Sequence, residues 1–109
     1  VVAVSRLDLS RDATPLEGGF QSAFDFCQAH LERGHSVLIH CLAGAHRAGT
    51  MGTAWLMLKT SKGVKEALTL AKMCRPIINP FGTLLELLHR LESELNENQV
   101  NSNKKELRI

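Results

Sequence analysis

The eleven residues His40-Cys41-Leu42-Ala43-Gly44-Ala45-His46-Arg47-Ala48-Gly49-Thr50 constrain this chain more than any other stretch. They follow an apolar run, Val37-Leu38-Ile39, and lead into apolar residues at helical spacing that begin near Ala48. The local reading is strand, tight loop, helix. A loop at a helix N-terminus presents unpaired backbone N–H groups and the positive end of the helix dipole, and so attracts anions. This loop carries a thiol, Cys41, and a guanidinium, Arg47. A thiol in that setting ionises more readily than a free one. An arginine can grip two phosphate oxygens at once. Together they point to a nucleophile inside an oxyanion cradle.

The flanking sequence extends this pattern. Val1 to Val4 is a continuous β-prone run, which predicts a strand covered on both faces. Ser5 to Gly19 holds Pro15, two glycines and three acidic residues, and reads as a loop. Phe20, Ala23, Phe24, Cys27 and Leu31 recur at helical spacing, and Gly34 closes the segment. With Val37–Ile39 as a second strand, the unit is a right-handed crossover between parallel strands.

Beyond the loop, Met51, Ala54, Trp55 and Leu58 form a stripe that predicts a helix from Ala48 to Lys59. Gly49 and Gly52 would let it lie close to the strand. Val64, Ala67, Leu68 and Ala71 mark another helix, which Pro76 stops near Arg75. Asn79-Pro80 reads as a cap and first turn for a helix carried by Phe81, Leu84, Leu85, Leu88, Leu91 and Leu95. Residues 97–109 are polar and read as a fraying tail.

Composition narrows the function. A chain of 109 residues supports one small domain. A net charge of +2, 5% aromatic residues and no tyrosine argue against nucleic acid as a partner. Three cysteines without a CxxC pair predict neither a disulfide framework nor a zinc site, so a reducing, intracellular compartment is expected. No run is long enough to span a membrane.

His40-Cys41, five residues and then Arg47, with Ala43-Gly44 inside the loop, resembles the signature of the cysteine-dependent protein tyrosine phosphatases. Ala67-Leu68 and Cys74-Arg75-Pro76 resemble the dual-specificity branch. The resemblance implies an α/β fold with a sheet flanked by helices. Residues 1–96 would be the C-terminal part of that domain: strand, helix, strand, loop, then three helices.

It also implies roles. Cys41 would attack phosphorus and form a phosphocysteine. Leu42, Ala43, Gly44, Ala45, His46, Arg47 and Ala48 would bind the phosphate, and His40 would support the loop. No metal or other cofactor is implied, and the substrate would be a phosphorylated protein. The general acid would be an aspartate about thirty residues before the cysteine, by the same resemblance. Asp8 and Asp12 both fit, and Asp12 is preferred because it lies deeper in the loop. Ala48 departs from the Ser or Thr that many relatives carry, which predicts slow hydrolysis of the intermediate. The alternatives are a phosphoprotein-binding module with negligible turnover and a rhodanese-like sulfur transferase.

For the remaining cysteines the pattern predicts burial, Cys27 on a helix face and Cys74 at a helix end. His46 is expected to face solvent.

Overall fold

The computed structural model describes residues 6–41 and 46–106, with side chains as far as Gln99. A π-helical turn, Leu16–Phe20, leads into helix α1, Gln21–Glu32. Three more helices follow: α2, Arg47–Thr60; α3, Val64–Cys74; and α4, Thr83–Glu106.

The described residues contain no strand, so the expected α/β fold with a sheet is corrected to an all-helical arrangement. The expected strand at Val1–Val4 lies outside the described residues. The one expected at Val37–Ile39 is irregular, and Leu38 is 82% exposed. An apolar triplet becomes a strand only when a neighbour pairs with its amides and carbonyls, so β-propensity alone does not decide the outcome. No described segment supplies that pairing, and the parallel crossover goes with it.

The helices follow the apolar spacing closely. Helix α1 ends at Glu32, just before Gly34, which adopts the left-handed conformation (φ 78°). Arg75 is extended, as the residue before Pro76 must be, and α3 stops there. Near its end the π-helical turn needs Gly19: φ is 139°, and a Cβ there would sit 2.3 Å from the Arg6 carbonyl oxygen.

Helix α2 packs against α3 and α4 and lies at the centre. Met51, Ala54 and Met57 meet Phe20 and Phe24, Val64 and Ala67, and Leu87, Leu88 and Leu91 in one core. Thr50 and Thr53 are also buried, because each hydroxyl donates to the carbonyl four residues back, His46 at 2.6 Å and Gly49 at 2.7 Å. The expected stripe shifts accordingly: Leu58 is exposed, and Trp55 sits half-buried between Phe24 and Lys59.

Helix α4 departs from expectation at both ends. It begins at Thr83, after a left-handed Gly82, rather than at Pro80, and it continues to Glu106. Pro80 is buried ahead of it, and Phe81 is 58% exposed instead of belonging to the core stripe.

Candidate active site

Helix α2 starts without a side-chain cap and with no acidic residue in its first turn. Its dipole therefore meets no compensating carboxylate from its own first turn. The Ala48 amide, one of the orphan donors of that turn, donates instead to the Cys41 sulfur at 3.4 Å. Cys41 thus sits against the electropositive end of the central helix. Arg47, the first residue of α2, is exposed and makes no ion pair with a described residue.

His40, Cys41, Arg47 and Ala48 line one cavity of about 750 Å³. Its apolar wall includes Phe26, Cys27, Val37 and Met51. Arg6 lines the same cavity, a second guanidinium that no spacing pattern had singled out. The structure therefore brings together the expected nucleophile, the expected phosphate-binding arginine and the supporting histidine. Leu42, Ala43, Gly44 and Ala45 lie outside the described residues.

His46, expected to face solvent, is half-buried and partnered. Its Nδ1 lies 2.9 Å from the Asn79 carbonyl oxygen, and its ring meets Phe81 edge-on with centroids 4.8 Å apart. Gly49 makes the same junction possible, because a Cβ there would stand 3.0 Å from Ile78 Cγ2. The small residue serves the segment before α4, rather than the strand contact expected for it.

Neither candidate acid lines the cavity. Asp8 accepts a 2.8 Å bond from the Ser10 amide. Hydrogen bonds from the Ser10 side chain and backbone, with Arg90 nearby, hold its carboxyl below the usual carboxylate range. Asp12 is exposed, and its amide donates to Ser10 Oγ at 3.3 Å.

The loop bearing both aspartates is tied to α4. Arg90 donates to the carbonyls of Ser10 and Ala13 at 3.2 and 3.1 Å. Arg11 pairs with Glu86, and Glu94 Oε1 accepts from the Leu16 amide at 2.8 Å. Glu86, Arg90 and Glu94 recur every four residues and so share one face of α4. That polar spacing was the available signal, and the stronger leucine stripe obscured it.

Of the other cysteines, Cys27 is buried, and burial pushes its thiol pKa up. Cys74 is exposed at the end of α3, where burial had been expected. Among the described residues no group of three or more His, Cys, Asp or Glu side chains could hold a metal ion, and no helix is long and apolar enough to cross a membrane.

A cysteine and an arginine on one cavity at a helix N-terminus define the general class of cysteine-based anion-binding sites. The comparisons make the class specific. The family model for the dual specificity phosphatase catalytic domain matches residues 3–94, and the chain belongs to that family, within the cysteine-dependent protein tyrosine phosphatases. Similar proteins include dual specificity protein phosphatase 5 of Rattus norvegicus, 40% identical over 70% of this chain and 20% of the relative. Dual specificity protein phosphatase 1 of Arabidopsis thaliana is 32% identical over 80% of this chain and 44% of the relative. Dual specificity protein phosphatase 22-B of Danio rerio is 31% identical over 75% and 51%. The chain thus spans between a fifth and about half the length of these relatives.

Proposed function

We propose that this chain is the catalytic part of a protein phosphatase that hydrolyses phosphotyrosine and phosphoserine or phosphothreonine through a cysteinyl-phosphate. The observation that carries the reading is the Ala48 amide donating to the Cys41 sulfur, with Arg47 on the same cavity. An amide and a helix N-terminus beside sulfur favour the thiolate, which is the nucleophilic form.

In the first step Cys41 Sγ forms a bond to phosphorus while the bond to the leaving oxygen breaks. Asp12 gives that oxygen its proton. In the second step water attacks phosphorus, the S–P bond breaks, and inorganic phosphate leaves while Asp12 takes up the water's proton. Arg47, the Ala48 amide and the loop 42–46 hold the three equatorial oxygens, with His40 supporting the loop. The chemistry requires no metal. Asp12 is preferred over Asp8 because it lies deeper in the loop, whereas Asp8 Oδ1 is engaged by the Ser10 amide. Residues 1–96 are assigned to the catalytic unit and 97–109 to a polar tail that starts within α4. Exposed Cys74 is consistent with a reducing, intracellular setting.

One observation favours a binding module with negligible turnover as the second reading. Ala48 has no hydroxyl to assist breakdown of the intermediate, and the Thr50 hydroxyl is committed to the His46 carbonyl. Vanadate-sensitive hydrolysis of an aryl phosphate separates the two. Cys41→Ser should keep the melting temperature and lose turnover. Undiminished turnover by that variant overturns the phosphatase reading.

A further inference from the structure

We propose that Arg90 is a positioning residue for the proton donor: its guanidinium fixes the turn that carries Asp12. This rests on the phosphatase reading and on Asp12 as the acid.

Residues 8–13 belong to no helix, and within the loop Ser10 bonds to Asp8 and Asp12, so contacts from outside are needed to hold it against the rest of the molecule. Arg90 supplies it by spanning the carbonyls of Ser10 and Ala13, which lie on either side of Asp12. A planar guanidinium can donate to two acceptors from a fixed fork, whereas a lysine ammonium is a flexible point donor. Two further ties flank the turn, Arg11 with Glu86 before Asp12 and Glu94 with the Leu16 amide after it.

The opposite side of α4 is buried through Leu87, Leu88 and Leu91 in the core that also holds Met51 and Ala54 of α2. The loop is therefore referenced, through one helix, to the element that carries Arg47 and the donor to Cys41. The charged groups around the turn are Asp8, Arg11 and Glu17 on the loop side and Glu86, Arg90 and Glu94 on α4. Arg90 also adds to the hydrogen bonds from Ser10 that hold the Asp8 carboxyl below the usual carboxylate range.

The test compares two substrates of the same chain. Phenyl phosphate needs a protonated leaving group, whereas difluoromethylumbelliferyl phosphate has a leaving group that departs unaided. Arg90→Met should lower kcat/KM on phenyl phosphate by ~10–100-fold, part of the range for general acid catalysis, and flatten the alkaline limb. On the activated substrate the loss should stay within about three-fold. Asp12→Asn should show the same signature, and the double variant should be no worse than Asp12→Asn alone. Arg90→Lys should restore the melting temperature without the phenyl phosphate rate, and it carries the test if Arg90→Met does not fold.

Equal losses on both substrates, or none, overturn the positioning role. If Asp12→Asn shows the signature and neither Arg90 variant does, that role alone falls. If Asp12→Asn lacks it, the acid assignment fails and takes this inference with it.

Discussion

His46 Nδ1 stands 2.9 Å from the carbonyl oxygen of Asn79, and that bond joins the start of α2 to the segment that precedes α4. A carbonyl only accepts, so Nδ1 must carry the proton. The bond spans thirty-three residues of sequence and bridges two stretches that lack regular structure of their own.

His46→Ala should weaken vanadate inhibition about five-fold, the equivalent of roughly 1 kcal/mol for one hydrogen bond. Asn79→Ala should leave inhibition nearly unchanged, because the acceptor is main chain. The ring nitrogen shifts of His46, read by NMR, should identify the Nδ1–H tautomer.

The missing hydroxyl at position 48 leads to a kinetic prediction. Ala48→Ser should raise steady-state turnover about ten-fold, a barrier change of about 1.4 kcal/mol, and reduce the pre-steady-state burst. Rapid-quench measurement of the burst amplitude in both chains checks this. An unchanged burst would place the slow step elsewhere.

Two glycines of α2 should respond to alanine in opposite directions. At Gly49 the new Cβ would press on Ile78 at 3.0 Å, a cost of ~1–3 kcal/mol for an overpacked site. At Gly52 nothing lies within 4 Å, and Gly52→Ala should stabilise by ~0.4–1 kcal/mol through the unfolded chain. Urea midpoints of the two variants give the comparison.

Cys27 supplies an alkaline signature. Burial raises its pKa above that of a free thiol, so the unfolded chain loses this proton first as pH rises. The native state then holds more protons than the unfolded one, and its contribution to stability is full below about pH 9 and declines above it. Denaturation midpoints at pH 7.5 and 10 should show a fall that is smaller in Cys27→Ala. In the folded chain a thiol reagent should modify exposed Cys74 well before Cys27.

The helices and the thiol–guanidinium pair were legible because both depend on near neighbours. Apolar residues three and four apart mark the positions of α1 to α4, though not both ends of α4, and Pro76 ends α3 by local sterics. Cys41 and Arg47 are only six positions apart in the sequence, and both line one cavity at the start of α2. Val37–Ile39 failed as a strand for the converse reason: a strand is completed by a partner, and the triplet carries no information about whether one is present.

By itself, then, the sequence determined where α1 to α3 run, that Pro76 stops α3, and that a thiol and a guanidinium lie close together at the start of α2. Tertiary structure alone decided that His46 bonds to Asn79, that Gly49 yields space to Ile78, and that Arg90 reaches the turn around Asp12. Those contacts join residues some thirty to eighty positions apart. No local periodicity encodes them, because they exist only once the core of α2 and α4 has fixed the distance between the elements.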